Sequence, residues 1–584
     1  MQPSQNHYIG IDVGTGGARA CIIDDAGNIV GLASEDIKLW QSGKGHYEQS
    51  TSDIWRATCS AVRRAVRENN IPPTMIRGIG FDATCSLAVL STEDDSPVSV
   101  TSPAFDTDRN VILWLDHRAV EETERINATG HKVLQYVGGA MSVEMEIPKI
   151  LWLRNNMSAE SFSRCKFYDL VDALTHLATG SETRSLCSLI CKQGYLPKER
   201  DDSVSGWPKD FLDQIGLETL SKTHFHSLGG INGENGRHLH AGELAGWLCE
   251  KAAQELGLPS GIAVGVGVID AYAGWIGTVS AKVEFAEPSM NIGLRAEGEQ
   301  GYFTRLAAVA GTSTCHLVMS PSPIFVPGVW GPYRDTIIPS CWMAEGGQSA
   351  TGQLIHHVLE THPAAGQAKK LALARQTDIF TFLNERLKEM AEEQHAPHIA
   401  YLARHFFFYG DLFGNRSPIA DPSMVGSIVG LTSDVSVDSL AILYYSALEF
   451  IALQTRQIVQ VMNQAGHKIF SIFMSGSQCR NNILVHLIAS ACDMPVVVPC
   501  YVSAAVCHGA AMLGAKAASS DKQGKTTDLW TIMDRMSKPG KAVYPTTNRH
   551  EKTLLLAKYQ VFIEQCRRQR EYRELVDRMI ASLQ

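Results

Sequence analysis

Two segments of the chain share one pattern, in which an apolar run, a glycine–threonine pair and a second apolar run follow one another. The first covers residues 8–23 with its pair at Gly14-Thr15, and the second covers residues 305–318 with its pair at Gly311-Thr312. Each predicts a β-hairpin whose turn is nearly bare of side chains, so that backbone N–H groups can form a nest for an anion. A single turn of this kind is most often only a hairpin. Two in matching positions predict a duplicated domain with a phosphate clamp around a nucleotide.

Length and composition bound the class of protein. At 584 residues the chain exceeds the ~250–300 residues at which one hydrophobic core stops growing, so at least two domains are expected. A formal net charge of −9 argues against a general nucleic-acid or anionic-membrane surface. No apolar run approaches the ~20 residues that span a bilayer, and the first ten residues lack a signal pattern. The 14 cysteines are scattered, which favours buried reduced thiols over disulfides. We therefore expect a soluble cytoplasmic protein.

Strand and helix patterns alternate in both halves, which predicts an α/β fold twice over. Residues 262–267 predict a buried strand that leads directly into a helix from Asp270, and the charged, glycine-bearing residues 280–303 predict a domain boundary. Residues 197–236 are rich in Gly, Pro, Ser and Asp and predict a surface insertion. Other predicted elements are a three-stranded meander at 8–34, helices at 51–70, 352–360, 366–392, 436–465, 482–491 and 504–518, mostly helical structure at 119–180, strands at 76–82, 87–91, 111–115, 469–474 and 495–498, and a charged helical tail at 545–584.

Two aspartates end predicted strands beside small polar turns. The Asp12 carboxylate, next to the first glycine turn, can hold Mg²⁺ directly or through water where the metal bridges phosphate oxygens. The competing interpretation is an aspartate that caps the turn through its own backbone. Asp82 has the same placement, and its turn can lie against a sugar or the metal, or form a plain Asx turn.

Asp270 begins a predicted helix among small residues. One interpretation is a general base that accepts the proton of an attacking hydroxyl, with space left for a substrate. The other is an N-cap aspartate, which is common and contributes about 1 kcal/mol. The pattern alone leaves both open.

Three further positions carry candidate binding groups. Lys192 is a lone cation in an apolar stretch, although a surface lysine is the usual case. Glu345 lies in a glycine-rich segment predicted to be a loop, where its carboxylate can bind sugar hydroxyls or remain a solvated charge. Gly476 lies between a strand and a helix, where a base or ribose can rest on exposed backbone. Neither a Walker A nor a zinc-site spacing occurs.

Taken together, these segments resemble the FGGY family of carbohydrate kinases, whose fold belongs with actin, hexokinase and the heat-shock ATPases. The resemblance runs from about residue 8 to 518. Its motifs in order are Tyr47-Glu48-Gln49, Trp114-Leu115-Asp116-His117-Arg118, Ile147-Pro148-Lys149-Ile150-Leu151-Trp152-Leu153 and Ala504-Ala505-Val506-Cys507-His508-Gly509-Ala510-Ala511. The segments Thr84-Cys85-Ser86-Leu87-Ala88 and Glu345-Gly346-Gly347-Gln348-Ser349-Ala350 are similar to the ribulokinase-like branch.

The resemblance implies two actin-like (ribonuclease H-like) ATPase domains with a central cleft, at residues 1–285 and 286–520, and a helical tail at 521–584 packed on the kinase. It implies that Asp270 is the catalytic base and that Mg²⁺ lies near Asp12. The implied sugar contacts are Ala83, Lys192, Asp270 and Glu345. The implied ATP contacts are Gly14, Thr15, Gly311 and Thr312 for the phosphates, and Gly476, Ser477 and Asn481 around the adenosine. Where the family usually has a run of glycines in the adenosine site, this sequence has Gly476-Ser477-Gln478.

The expected activity is transfer of the ATP γ-phosphoryl group to the primary 5-hydroxyl of a ketopentose, with D-ribulose as the first expectation. L-ribulose, ribitol or another polyol is an alternative acceptor, and a non-catalytic actin-like ATP-binding switch is an alternative class. Asp270 and Glu345 in small-residue settings argue against the switch, because a nucleotide clamp alone does not need them. The expected partners are a sugar or polyol and ATP, with neither nucleic acid nor membrane, and a homodimer stays open.

Overall fold

Strands and helices alternate throughout the described chain, for which the computed structural model covers residues 6–196, 206–283 and 298–582. The N-terminal part is described up to residue 283. Its strands are β1 (His7–Gly14), β2 (Gly17–Asp24), β3 (Ile29–Asp36), β4 (Trp40–Gly43), β5 (His46–Gln49), β6 (Ile76–Ala83), β7 (Leu87–Ser91), β8 (Val111–Ile112), β9 (Cys165–Asp169), β10 (Arg184–Ser185), β11 (His238–Leu239), β12 (Leu244–Trp247), β13 (Ala263–Gly265) and β14 (Val268–Ile269). Its helices are α1 (Thr51–Glu68), α2 (Val120–Ala128), α3 (Glu146–Asn156), α4 (Ala159–Ser163), α5 (Leu170–Thr179), α6 (Leu186–Lys192), α7 (Lys209–Ile215), α8 (Glu218–Lys222), α9 (Glu250–Leu256) and α10 (Asp270–Val279).

The C-terminal part is described from residue 298 onward. Its strands are β15 (Arg305–Ala310), β16 (Thr314–Ser320), β17 (Trp330–Arg334), β18 (Trp342–Gln348), β19 (Phe407–Tyr409), β20 (Ser427–Val429), β21 (Ser471–Ser475), β22 (Val496–Val498) and β23 (Lys541–Val543). Its helices are α11 (Gly352–Thr361), α12 (Ala365–Ala374), α13 (Ile379–Glu393), α14 (Val437–Ala465), α15 (Asn482–Cys492), α16 (Ala505–Ala518), α17 (Leu529–Met536) and α18 (Arg549–Ala581).

Each part is built around one mixed β-sheet, and the two sheets share a central plan. Strand β1 pairs antiparallel with β2 and parallel with β6, just as β15 pairs antiparallel with β16 and parallel with β21. A further parallel strand follows, β13 or β22, and an antiparallel strand, β12 or β23, completes that edge. A smaller antiparallel sheet in the order β4-β5-β8-β7-β9 flanks the N-terminal domain. The predicted α/β fold with two similar domains is confirmed.

The period-two alternation of β1 decides what lies on each of its faces. Ile9, Ile11 and Val13 pack into an apolar core shared with α1. Glycines occupy the opposite face of β1 and of its neighbour β6, and α16 packs directly against them. A Cβ atom on Gly80 would lie 2.0 Å from the carbonyl oxygen of Ala510, so only glycine admits the helix at this distance. Asp12 lies on this face too, two residues beyond Gly10 in β1.

Helices α10 and α16 connect the two domains. They cross at very short range, since a Cβ atom on Gly277 of α10 would lie 1.9 Å from the carbonyl oxygen of Ala505 in α16. Helix α10 also packs against Val309 of β15 in the second sheet. Because α16 belongs to the predicted 286–520 domain but packs on the first sheet, the chain segments and the packed units do not coincide at this point.

The residues after 520 pack on both domains. Helix α17 contributes Leu529, Ile532 and Met533 to the N-terminal core, and β23 extends the second sheet. Helix α18 packs on the C-terminal domain, where the buried Lys558 and Glu449 form an ion pair of 2.9 Å. The tail is therefore an integral part of the packing.

One described helix, α14, is long and apolar enough to cross a membrane by length and composition. In the fold, 78% of its most apolar stretch is buried inside the protein. Its side chains form the centre of the C-terminal core, which accounts for its composition.

Several sequence predictions are wrong in detail. Residues 206–236 do not form a surface insertion, because Phe211, Leu212 and Ile215 are buried in the N-terminal core; residues 197–205 lie outside the described chain. The single helix predicted at 366–392 is two helices, with Asp378 capping the second. The mostly helical region at 119–180 contains the strand β9. Of the predicted boundary at 280–303, residues 284–297 lie outside the described chain.

Candidate active site

A cavity of about 490 Å³ lies between the two domains and is lined by residues from both. Ten of the positions singled out from the sequence reach it. They are Asp12, Gly14, Thr15, Lys192, Asp270, Gly311, Thr312, Glu345, Gly476 and Ser477. The two glycine–threonine turns, about 300 residues apart in the chain, therefore border the same space.

The first turn joins β1 to β2 and is fixed from the neighbouring small sheet. The indole Nε1 of Trp114 donates to the Thr15 hydroxyl at 3.1 Å, and Nε2 of Gln49 donates to the Thr15 carbonyl at 2.7 Å. Both donors lie in segments that the resemblance singles out, but their contact with Thr15 was not predicted.

The second turn joins β15 to β16 and is fixed by one residue that follows β18 and one that follows β21. The backbone N–H of Thr351 donates to the Thr312 carbonyl at 3.0 Å. Nε2 of Gln478 donates to the Gly311 carbonyl at 2.6 Å. Each turn is thus held rigidly by side-chain donors to its carbonyls, an arrangement that suits a preorganised anion site.

Two carboxylates lie side by side at the ends of β1 and β6, where Asp12 and Asp82 are register partners. Burial raises the pKa of Asp12, and the Arg19 guanidinium, with Nη1 3.3 Å from Oδ2, opposes that rise. Burial and then the Asp12 charge raise the pKa of Asp82 well above its usual range. Neither Asp82 oxygen lies within hydrogen-bond distance of a donor in the described chain. A divalent cation suits this pair, because Mg²⁺ takes one or two carboxylates together with waters and phosphate oxygens.

Asp270 is the first residue of α10 and lines the cavity. The residue in the N-cap position is Ile269, and Asp270 Oδ1 accepts a 2.7 Å hydrogen bond from the next N–H, that of Ala271. The N-cap alternative for Asp270 is therefore wrong. Burial, and then the Asp12 charge, raise its pKa to about 7. A carboxyl group with this pKa exchanges protons near neutral pH, as a general base must.

Lys192 and Glu345 form a buried ion pair across the cavity, with Nζ 3.4 Å from Oε2. The Tyr272 hydroxyl donates to the same Glu345 oxygen at 3.1 Å. Burial alone would lower the pKa of Lys192, but the Glu345 carboxylate and further acidic neighbours raise it well above its usual range. A charged lysine in this position is a built feature, so the surface-lysine interpretation is wrong. Glu345 lies in β18 rather than in the predicted loop.

Two predicted contacts do not line the cavity. Ala83 is fully buried in β6 between β1 and β14, while its successors Thr84 and Cys85 reach the space. Asn481 caps α15, with Oδ1 accepting from the N–H of Ile483 and Nδ2 donating to the Tyr444 hydroxyl. Its geometry fits a residue that holds the Gly476 loop.

Among the lining residues that were not predicted as site residues, four contact one another. Arg416 pairs with Glu144 at 3.0 Å, and its guanidinium lies 5.8 Å from the Trp114 ring and 5.5 Å from the Trp330 ring. The Lys192 ammonium also lies near the Trp330 ring, 4.4 Å from its centroid. Trp114 stands in a quoted motif, but the irregular segments that carry Glu144 and Arg416 show no periodic pattern that would have indicated them.

Comparison with known proteins agrees with this geometry. The model of the FGGY family of carbohydrate kinases, N-terminal domain, matches residues 7–188, and that of the C-terminal domain matches residues 306–518. A D-ribulokinase of Saccharomyces cerevisiae is 51% identical over 527 residues, which are 89% of this chain and 73% of that protein. The FGGY carbohydrate kinase domain-containing protein of Homo sapiens is 41% identical over 98% of both chains.

Solved structures agree on the fold. A gluconate kinase of Lactobacillus acidophilus superposes with a TM-score of 0.72 at 19% identity, over 96% of this chain and 97% of that one. A xylulose kinase of Rhodospirillum rubrum superposes with a TM-score of 0.71 at 17% identity, over 97% and 99%. Fold and cleft together define a phosphotransferase that acts on sugars. The chain belongs to the FGGY family of carbohydrate kinases.

Proposed function

We propose that the protein transfers the γ-phosphoryl group of ATP to the 5-hydroxyl of D-ribulose and forms D-ribulose 5-phosphate. The observation that carries the proposal is the position of Asp270, which shares one cavity with the two glycine–threonine turns and with the Lys192–Glu345 pair. The D-ribulokinase relative at 51% identity supports the choice of acceptor.

In the proposed reaction, Asp270 accepts the proton of the sugar 5-hydroxyl as the hydroxyl oxygen attacks the γ-phosphorus. A new O–P bond forms, the bond between the γ-phosphorus and the β–γ bridging oxygen breaks, and ADP leaves with that bond's electron pair. Phosphoryl transfer depends mainly on positioning and charge neutralisation. The two turns would hold the phosphates of the nucleotide tail opposite Asp270.

Asp12, with Asp82 behind it, would hold Mg²⁺. When bound, the ion would neutralise phosphate charge. The Arg19 guanidinium, 3.3 Å from Asp12, holds that carboxylate in place at the edge of the cavity. Gly476 and Ser477 would carry the adenosine on exposed backbone, at the border of the cavity next to the second turn.

The acceptor end of the cavity offers groups that match a polyhydroxylated ketone. Lys192 and Arg416 provide cationic donors, and Glu345 provides a carboxylate acceptor. Both cations lie close to the Trp330 ring, at 4.4 and 5.5 Å from its centroid, and the ring gives the pocket a flat wall. Hydrogen-bond donors and acceptors around an aromatic wall are typical of sites that bind sugars by their hydroxyl pattern.

The test is an acceptor screen with ATP and Mg²⁺, using D-ribulose, L-ribulose, ribitol and D-xylulose, with the phosphorylated position assigned by NMR. We expect D-ribulose to give the highest kcat/KM and phosphate on carbon 5. A higher kcat/KM with L-ribulose or ribitol would show that this compound, rather than D-ribulose, is the acceptor of the same phosphoryl transfer. The Asp270→Asn variant, assayed in the same screen, gives the background rate without the proposed base.

We further infer a cytoplasmic location, since all 14 cysteines are free in the structure.

A further inference from the structure

Two histidines and a glutamate from three separate segments meet on the C-terminal domain, outside the residues that line the active-site cavity. His398 precedes a short 3₁₀ turn, His486 lies in α15 and Glu551 lies in the first turn of α18. Their ligand atoms all lie within 4.8 Å of one another. We refer to these three residues as the His–His–Glu cluster.

The cluster converges on one carboxylate oxygen. Glu551 Oε1 lies 2.9 Å from Nε2 of His486 and 3.3 Å from Nδ1 of His398. The Glu551 side chain is 1% exposed, while those of His398 and His486 are 28% and 34% exposed. The carboxylate is therefore buried, and the imidazoles separate it from solvent.

Hydrogen bonds within the described chain satisfy this carboxylate only in part, since the His486 Nε2–H donates to Oε1 at 2.9 Å. His398 Nδ1 accepts the backbone N–H of Ala400 at 3.3 Å, so this nitrogen has no proton to donate to Glu551, and it would exchange that long hydrogen bond for a metal bond. The contact between Nδ1 and Glu551 Oε1 therefore brings two hydrogen-bond acceptors together, with no proton between them. The second oxygen, Oε2, is buried without a hydrogen-bond partner in the described chain. A buried carboxylate with one unpartnered oxygen, and with an unprotonated imidazole nitrogen beside the other, favours a cation, to which His486 Nε2 would bind after releasing its proton.

We propose that the His–His–Glu cluster is a Zn²⁺ site. Two imidazole nitrogens, one carboxylate oxygen and a water in the fourth position form an ordinary zinc ligand set. Around a tetrahedral ion with ~2.1 Å bonds, ligand atoms stand about 3.4 Å apart, so the 2.9 Å pair must open by about half an ångström. Because each ligand belongs to a different segment, the ion would fasten the start of α18 to α15 and to the 3₁₀ turn.

The experiment titrates ZnCl₂ into metal-free full-length protein by calorimetry, with saturating Mg²⁺ to occupy the active-site carboxylates. We expect one zinc site in the wild type, with its affinity lowered more than about 100-fold in His486→Ala and in Glu551→Gln, since even an outer-shell change costs about 10–100-fold. His550→Ala is the matched control, because this exposed neighbour of Glu551 is not a member of the cluster. Co²⁺ in place of Zn²⁺ should give the visible absorption bands of a four-coordinate site in the wild type and in His550→Ala only.

Thermal unfolding gives a readout that is separate from catalysis. Zn²⁺ should raise the Tm of the wild type and of His550→Ala, and leave that of His486→Ala unchanged. If His486→Ala does not fold, His398→Ala replaces it, since that side chain lies on a turn. Equal zinc affinity in all variants, or no visible Co²⁺ bands in the wild type, would overturn the proposal and leave an ion-pair cluster only.

Discussion

Asp270 lines a cleft together with two buried acidic groups, Asp12 and Glu345, and Asp82 is buried beside Asp12. Burial and the nearby Asp12 charge raise the pKa of Asp270 to about 7. At neutral pH the carboxyl group is therefore protonated in a large part of the free protein, and in the proposed reaction only its ionised form accepts the sugar proton.

The first prediction concerns the pH dependence of the reaction. Because a protonated Asp270 cannot act as base, kcat/KM should fall as pH drops through about 7 and level off above it. Steady-state kinetics between pH 5.5 and 9 measure this limb. Asp270→Asn should lower kcat by about 10²–10⁴-fold, with nucleotide binding retained, and should abolish the limb. A pH profile that is flat from 6 to 9 in the wild type would contradict the assignment.

The second prediction follows from the same pKa and concerns stability. The folded-state pKa of Asp270 is raised above its ordinary 3.8, so the folded protein holds a proton that the unfolded chain releases between about pH 4 and 7. Folding stability from this residue is present at low pH and is lost as pH rises toward 7. Asp270→Asn should therefore raise the Tm at pH 8 and leave it nearly unchanged at pH 4. Thermal unfolding at both pH values checks this, and an equal shift at each would point to a packing effect instead.

The third prediction concerns Lys192 in the acceptor pocket. Lys192→Met removes the ammonium and leaves Glu345 buried without its cation, so the KM for the sugar should rise at least about tenfold while the KM for ATP changes little. Initial rates against each substrate separate the two. Lys166→Met is the matched control, because Lys166 is also buried and ion-paired but lies outside the cavity. An unchanged KM for the sugar in Lys192→Met would show that Lys192 does not contact the sugar.

At the scale of elements, the loop after β21 places the proposed adenosine site against the second phosphate turn. Gly476 has a φ of 95°, in the left-handed region, and a Cβ atom there would lie 2.2 Å from the Ala310 carbonyl oxygen. The loop and β15 can therefore touch only while this residue has no side chain.

The fourth prediction is that Gly476→Ala displaces this loop from β15. The KM for ATP should rise by about tenfold or more, and the sugar KM should change less. Gly366→Ala, in the exposed part of α12 where a Cβ atom meets nothing within 4 Å, is the matched control and should be neutral or slightly stabilising. Equal ATP affinity in both variants would show that the loop does not contact the nucleotide.

Elements with a strong local signal were predictable from the sequence. Strand β1, helix α1 and the β14–α10 junction follow from apolar periodicity and from glycine turns, which act over a few residues. Strand β18 was missed because its glycines look like a loop, and only its pairing with β16 and β17 makes it a strand. Residues 206–236 misled for a related reason, since their polar composition conceals a few apolar side chains that the core takes up.

In the candidate site, too, the residues with a local sequence signal were predictable and the others were not. Asp12, Asp270 and the two turns stand at strand ends, which the chain itself marks. Arg416 was missed because its neighbours Glu144 and Trp114 come from the other domain, and such a contact exists only once the domains pack. Ala83 was chosen from the resemblance, but the strand alternation turns it inward and leaves Thr84 to face the cavity.

At the scale of the whole molecule, the two domains touch at two places beside the cavity. Helices α10 and α16 cross at the base of the cleft, where glycines allow backbone contact. Arg416 and Glu144 form an ion pair between the domains, with the guanidinium near one tryptophan from each domain. A Cβ atom on Gly347 would lie 2.8 Å from Arg416 Cδ, so β18 leaves a place for the arginine stem. The pair can therefore respond to closure of the cleft, which excludes water from phosphoryl transfer.

The last prediction is that the Arg416–Glu144 pair stabilises the closed cleft around the sugar. Arg416→Met and Glu144→Gln should each lower kcat/KM for the sugar by about tenfold or more, and the double variant should lose little beyond the larger single effect, since coupled residues are not additive. Weaker closure should also raise ATP hydrolysis relative to sugar phosphorylation, because water then reaches the γ-phosphate. Arg64→Met, which breaks an exposed ion pair with Glu68, is the control and should change neither rate. Strictly additive losses, or an unchanged ratio of hydrolysis to transfer, would mean that Arg416 binds the sugar without holding the domains together.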